Sequence, residues 1–128
     1  MRTVCALLVA SCVSSSNYWI AYRPARGNVD GDGAHRRAVL ALTDMGKSIE
    51  TNDAASGIVV TAWEDGRNSF GKMRVRFRVS VDGSAYDVAA PCEQFVDGPG
   101  NDAWQPCDEA TRPRWVVEDV ERIAGAIR

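Results

Sequence analysis

The stretch Lys72–Ala90, KMRVRFRVSVDGSAYDVAA, decides the fold. Apolar and polar residues alternate without a break through its first part, Lys72–Val81. An alternation with a period of two predicts a strand with one buried face and one exposed face. The Asp82-Gly83 dipeptide that follows is typical of a two-residue type I′ turn, which needs positive φ at both positions. The stretch therefore predicts a β-hairpin.

The position of this turn predicts the register of the hairpin. It pairs four sets of residues across the strands: Val81 with Ser84, Val79 with Tyr86, Phe77 with Val88, and Arg78 with Asp87. The residues between the apolar positions form a basic ladder on the exposed face: Lys72, Arg74, Arg76 and Arg78. Alternate strand positions lie about 6.8 Å apart, so the basic ladder is a candidate binding surface for an anionic partner. The alternative is a solvated face with cross-strand ion pairs.

Residues on both sides of the hairpin supply the rest of the fold. Apolar residues recur at helical spacing in Ala34–Met45 and in Pro113–Ile127. We expect Asp32 to cap the first helix and Gly46 to end it. Further strands are expected at Tyr18–Tyr22, Lys47–Thr51 and Gly57–Glu64, and irregular segments at Ala25–Gly33, Asp65–Gly71 and Pro91–Arg112. Trp63 lies on the polar side of its strand, where it could take a cation–π contact from the basic ladder.

These elements predict an α+β fold. It consists of an antiparallel sheet of about five strands with the two helices packed on one face. The covered face carries four apolar residues of the hairpin: Met73, Val75, Phe77 and Val79. A chain of 128 residues suits one such domain.

The N-terminus predicts export. A positive residue, Arg2, precedes the short apolar segment Thr3–Ala10, which is the pattern of a secretory signal peptide. That segment leads into Val9-Ala10-Ser11-Cys12, which resembles the lipobox of bacterial lipoprotein signal peptides. In such proteins the cysteine is lipidated and becomes the mature N-terminus. The alternative is a buried strand of a cytosolic protein, with Cys5 and Cys12 in its core.

The lipobox resemblance implies three segments. Residues 1–11 are the expected signal peptide, residues 12–17 the lipidated Cys12 and a short tether, and residues 18–128 a single domain. It also implies a place in the bacterial cell envelope, at the outer membrane or the periplasmic face. Export leaves Cys92 and Cys107 as the remaining cysteines. An even pair in an exported domain predicts a disulfide, and two free thiols are the alternative.

The body of the chain carries a second resemblance. The block at residues 41–63, ALTDMGKSIETNDAASGIVVTAW, has a helix that ends in glycine and feeds a strand, followed by a strand that begins Gly-x-Ile. It is similar to repeats in small BamC-like envelope lipoprotein domains. The resemblance is confined to this block, and no functional residue is transferred from it.

The residue types argue against several functions. The net charge is −2, so we expect no nucleic-acid partner. The only histidine is His35, so we expect no catalytic site and no metal or cofactor. A calcium loop at Asn28–Gly33 lacks the glutamate expected at position 12, where Val39 stands. An anion site at the first helix, using Arg36 and Arg37, is another open alternative.

Two functions remain from these arguments. The first is a non-enzymatic, lipid-anchored envelope protein that acts through protein, glycan or other envelope contacts. Its expected partners are the membrane, through the N-terminal lipid, and an envelope protein or an anionic glycan or lipid. The second is a small periplasmic or surface enzyme, or a ligand-binding domain, that uses the loop between Cys92 and Cys107.

Overall fold

The computed structural model describes residues 25–69, 71–98, 100, 103–107 and 112–128. These residues form two helices, α1 (Ala34–Asp44) and α2 (Arg114–Ile127). They also form nine strands: β1 Ala25–Asn28, β2 Ile49–Asp53, β3 Ile58–Thr61, β4 Glu64–Asn68, β5 Gly71–Val75, β6 Arg78–Asp82, β7 Ala85–Ala89, β8 Cys92–Val96 and β9 Ala103–Pro106. The expected strand Tyr18–Tyr22, the lipobox and Cys5 lie outside the described residues.

The strands form two antiparallel sheets, and the predicted α+β class is confirmed. Sheet A has five strands in the order β1-β7-β6-β3-β2. Sheet B has four strands in the order β4-β5-β8-β9, and this second sheet was not expected. It arises because two segments expected to be turns or loops, around residues 64–71 and 92–106, instead form strands.

The core lies between sheet A and the helices and continues under the inner face of sheet B. The two helices pack against each other and mainly against strands of sheet A. The largest fully buried side chains come from the stretch Lys72–Val81 and from both helices: Phe77, Leu42, Met73, Ile123 and Ile127. Full burial of a side chain of this size contributes about 1.5–3 kcal/mol. The apolar stripe predicted for α2 is buried, as expected.

The long strand expected at Lys72–Val81 is interrupted at Arg76-Phe77, where the chain leaves sheet B and enters sheet A. The N–H of Phe77 donates to Thr61 Oγ1 at 2.9 Å, and the N–H of Thr61 donates to the carbonyl of Phe77 at 2.9 Å. The N–H of Arg76 donates to the carbonyl of Pro91 at 3.2 Å. Because these bonds satisfy the backbone at the break, the strand can change sheets. Its alternating burial continues through the break, since Val75, Phe77 and Val79 are all buried.

The predicted turn of the hairpin is wrong by one residue. Asp82 is the last residue of β6 and pairs with Ala85, so Gly83-Ser84 forms the loop. Gly83 has φ of 60°, and no described non-glycine residue has positive φ. A type I′ turn at Asp82-Gly83 is therefore absent, and the glycine at the first loop position suits a type II′ turn.

The new turn shifts every cross-strand pair by two residues. The observed pairs are Val81 with Tyr86, Val79 with Val88, Ser80 with Asp87, and Arg78 with Ala89. The expected Arg78–Asp87 pairing is wrong. A shift of two residues leaves each side chain on its expected face, because side chains alternate with a period of two.

Three further expectations are corrected. The segment Ala25–Gly33 begins with β1, which pairs with β7. Gly33, in the left-handed conformation, takes the N-cap position expected for Asp32, and no side chain caps α1 there. Trp63 was expected on the polar side of its strand, but the alternate residues Val59 and Thr61 on β3 are the buried ones, and Trp63 itself lies beyond the end of that strand. At the other end of α1, Gly46 has φ of 77° and ends the helix as expected.

Candidate functional site

The outer face of sheet B carries most of the basic ladder. Lys72 and Arg74 lie on β5, and Arg76 lies in the break that follows it. Arg78 belongs to β6, where it pairs with Val60 and Ala89 on the outer face of sheet A. The break therefore separates the fourth cation of the basic ladder from the first three.

Three aromatic side chains contact these three cations. Lys72 Nζ lies 5.3 Å from the ring centroid of Phe95 and 5.5 Å from that of Trp104. The guanidinium carbon of Arg74 lies 4.1 Å from the Trp104 centroid and 4.4 Å from that of Trp63. Arg76 follows, 4.6 Å from Trp63. We call this alternating row the cation–aromatic stack: Phe95, Lys72, Trp104, Arg74, Trp63 and Arg76.

Strand pairing explains why the aromatic residues reach the cations. Phe95 and Trp104 are directly opposite each other on β8 and β9, with ring centroids 5.4 Å apart in an edge-to-face arrangement. Strand β8 pairs with β5, so their outward side chains share one face. Trp63 lies between β3 and β4, and the cation–π contact expected for it is present twice.

The disulfide expected between Cys92 and Cys107 is present, with the Cα atoms 5.3 Å apart. It joins β8 to the residue that follows β9, and both cysteines are buried. The sequence interpretation treated Phe95 and Trp104 as residues of an irregular loop. Their sequence positions could have predicted that they pair across two strands, because Phe95 lies three residues after Cys92 and Trp104 three residues before Cys107.

Arg74 forms an ion pair in addition to its two aromatic contacts. Its Nε and Nη2 donate to Glu93 Oε1 at 2.8 and 2.6 Å. Glu93 is its neighbour on β8, and Asp65 is its neighbour on β4. The side chains of Arg74 and Glu93 are 26% and 15% exposed, and their ion pair is of the cross-strand kind that the alternative interpretation of this face expects.

A second buried cation lies at the junction of the helices with sheet B. Lys47 Nζ is 2.8 Å from Glu64 Oε1 and 2.8 Å from Asp119 Oδ2. It also lies 4.9 Å from the ring centroid of Phe77 and 5.6 Å from that of Trp115. Lys47 therefore connects β4 and α2 to the end of α1, where its own N–H donates to a carbonyl.

The Lys47 side chain is 8% exposed, which affects its pKa in two opposite ways. Desolvation by burial is the largest single influence and lowers the pKa. Hydrogen bonds and Coulombic attraction from Asp119 and Glu64 together outweigh it, and the pKa is raised above the ordinary value of 10.5. Lys47 is therefore a charged structural link at neutral pH.

The anion site considered at the start of α1 is not supported, because Arg37 uses its guanidinium on backbone carbonyls. It donates to Ile127 at 2.9 Å and to Asp32 and Asp30 at 3.1 Å each. His35 Nε2 lies 2.6 Å from Asn52 Oδ1.

Within the described residues no group of three or more histidine, cysteine or acidic side chains could hold a metal ion. No helix among them has the length and hydropathy needed to cross a membrane.

The described residues enclose several cavities, and the residues that line four of them lie outside the hairpin between Cys92 and Cys107. A cavity of about 460 Å³ lies where the start of α1 meets two turns, beside His35 and Gly83. A cavity of about 390 Å³ adjoins the basic ladder and is lined by four residues: Asp65, Gly66, Arg67 and Lys72.

No protein-family model matches this chain, and no curated protein matches it in sequence. Its function therefore has to be inferred from the arrangement of its own residues. The outer face of sheet B, with three aligned cations, an ion pair and an adjoining cavity, is the site that best supports such an inference.

Proposed function

We propose that the protein is a non-enzymatic, lipid-anchored protein of the bacterial cell envelope that contacts an anionic partner through the outer face of sheet B. The observation that carries this proposal is the cation–aromatic stack. Cations stacked on aromatic rings are held in a fixed row, so less side-chain entropy is lost when an anion binds. A partner that meets this face meets charges that are already positioned.

The expected envelope location has two supports. The first is the resemblance of Val9-Ala10-Ser11-Cys12 to a lipobox. The second is the disulfide between Cys92 and Cys107, because structural disulfides are typical of exported proteins. An anchor at Cys12 would keep the domain close to a membrane surface.

Anchoring is tested by membrane fractionation of the full chain expressed in a bacterium. We expect Cys12→Ala to release the protein from the membrane fraction or to leave its signal peptide uncleaved. Cys5→Ala is the matched control, since this cysteine lies before the expected cleavage site, and it should change neither property. Equal partitioning and equal processing of the wild type and Cys12→Ala would show that the protein is not a lipoprotein.

The anionic contact is tested separately with dextran sulfate, a soluble polyanion. We expect the affinity of the wild type to fall as salt is added, and Arg76→Ser to weaken binding. Arg36→Ser removes an exposed cation of α1 and should leave binding unchanged. Binding that does not depend on salt, or an equal effect of both substitutions, would contradict a contact through sheet B.

The second function, an enzyme or ligand binder at the hairpin between Cys92 and Cys107, has weaker support. The aromatic side chains of this hairpin, Phe95 and Trp104, are already in contact with Lys72 and Arg74. Their contacts favour a role in arranging the cations on the surface.

A further inference from the structure

The hairpin of β4 and β5 places two like charges side by side. Arg67 and Lys72 are directly opposite each other in the register of these strands, and both are exposed. Like charges at directly opposed positions destabilise a sheet. The Lys72 ammonium is turned away from Arg67, and an anion that binds between the two side chains would gain two cationic partners at once.

The position of Lys72 leaves space for such an anion. Its ammonium lies over Phe95 and Trp104, on the side of β8 and β9. Arg67 stands on the opposite side, on β4. Both residues line the cavity of about 390 Å³, together with Asp65 and Gly66.

We propose that this cavity binds the phosphodiester group of a phospholipid headgroup between Arg67 and Lys72, so that the outer face of sheet B lies against the membrane. This inference rests on the proposed function, whose anionic partner it identifies. Arginine presents forked N–H donors that match the oxygens of a phosphate, and lysine adds a compact charge.

A membrane is the partner that the chain can always reach. If Cys12 is the anchor, the twelve residues 13–24 separate it from β1, and the chain from Cys12 to Ala25 spans at most about 45 Å. The domain therefore stays near the headgroups. Phe95 and Trp104 are partly exposed beside Lys72, and amphipathic aromatic side chains favour the membrane–water interface.

Asp65 limits how strongly the site favours a highly charged phosphate. It is exposed, lines the same cavity and carries a negative charge next to the proposed site. A neighbouring carboxylate repels each additional negative charge on the ligand. Together with Arg67 and Lys72 it leaves a net charge of +1, so it reduces the advantage that a phosphomonoester would otherwise have over a phosphodiester, which carries one negative charge.

Binding to vesicles tests the site directly. Residues 12–128 with Cys12→Ala, the expected mature chain without its lipid, are used throughout, so that neither an attached lipid nor the apolar segment Thr3–Ala10 masks headgroup binding. We expect tighter binding to vesicles of phosphatidylcholine with phosphatidylglycerol than to vesicles of phosphatidylcholine alone. Replacing Arg67 and Lys72 together by Gln should weaken binding to the phosphatidylglycerol vesicles about 30-fold.

Two matched controls accompany this double variant. Replacing Arg36 and Arg122, exposed on α1 and α2, by Gln changes the net charge equally and should leave vesicle binding unchanged. The melting temperature of the Arg67→Gln/Lys72→Gln variant should match that of the wild type, since both side chains are exposed.

The charge preference is tested with Asp65→Asn. Asp65→Asn should tighten binding to vesicles with phosphatidic acid, a phosphomonoester, about 2- to 5-fold, and should tighten binding to phosphatidylglycerol vesicles less. A ratio of the two affinities that Asp65→Asn leaves unchanged would overturn the role given to Asp65.

The outcomes separate this inference from the proposed function. Suppose the wild type binds dextran sulfate in a salt-dependent way but does not prefer phosphatidylglycerol vesicles, or binds them as well after Arg67 and Lys72 are replaced. Then the headgroup site is overturned while an anionic contact remains. Failure of the wild type to bind either anion would overturn both.

Discussion

Lys47 and Arg74 are two largely buried cations in different regions of the molecule. Both stack on aromatic rings, and both bond to carboxylates. Lys47 is 8% exposed and connects β4 and α2, whose carboxylates lie far apart in the sequence. Arg74 is 26% exposed and bonds to Glu93 on the neighbouring strand.

The difference teaches that similar contacts can serve different purposes. Around Lys47, the end of α1, sheet B and α2 depend on one charge, so its loss affects how the elements pack. Around Arg74, the contacts remain within sheet B and its adjoining aromatic side chains, so its loss affects the arrangement of a surface. We therefore expect stability to depend more on the Lys47 region, and binding more on the Arg74 region.

The largest effect is expected for Phe77→Ala, directly beneath Lys47. Phe77 is fully buried, so the substitution should lower the free energy of unfolding by about 3–5 kcal/mol through lost burial and a cavity. Urea denaturation measures the change, and Phe77→Leu is the milder control. A loss below that of Arg74→Ser would mean that the Lys47 region does not dominate stability.

Lys47→Met should have the next largest effect. It keeps the bulk of the side chain but leaves Glu64 and Asp119, 37% and 16% exposed, without their shared cation. The expected loss is about 2–4 kcal/mol at neutral pH, at or below the range for a fully buried pair because both carboxylates keep some contact with water.

The pH dependence of this difference sharpens the comparison. The pKa of Lys47 is raised in the folded state above the ordinary 10.5, so its contribution is fully present below about that pH. As the pH rises through the folded-state value, the ammonium loses its charge and the contribution disappears. The stability gap between the wild type and Lys47→Met should thus be constant at neutral pH and shrink in strong alkali. A gap that persists there would show that packing, and not charge, explains it.

Arg74→Ser should have the smallest effect of the three. It removes two charge-assisted hydrogen bonds to Glu93 and two aromatic contacts, for an expected loss of about 1–3 kcal/mol. A double-mutant cycle with Glu93→Gln isolates the ion pair from the stacking. Additive effects of the two substitutions would indicate that aromatic contacts, and not the ion pair, hold Arg74.

The sequence predicted those features that local patterning determines. The alternation in Lys72–Val81 gave the correct buried face, and Gly46 marked the end of α1. The pairing of Cys92 with Cys107 followed from the count of cysteines that remain once a signal peptide is assumed to be removed. Each of these inferences uses residues close in sequence or a single chemical property.

The remaining features depend on contacts between distant segments. The strand changes sheets because Thr61 bonds to the backbone of Phe77, and no pattern within Lys72–Val81 reveals this partner. The stack forms because β8 pairs with β5 and brings Trp104 to Arg74. The basic ladder was recognised as a candidate surface, but its aromatic members on β8 and β9 and its neighbour Arg67 were missed.

The break at Arg76-Phe77 also helps to set the orientation of the proposed binding face. Arg76 belongs to the cation–aromatic stack, and the next residue, Phe77, is the largest fully buried side chain among the described residues. The two hydrogen bonds between Phe77 and Thr61 act as a clamp on this joint. This joint is one of three chain connections between the sheets, and the others run from β3 to β4 and from β7 to β8. A load applied to sheet B therefore reaches sheet A at three places. These connections hold the proposed binding face at a fixed angle to the rest of the domain.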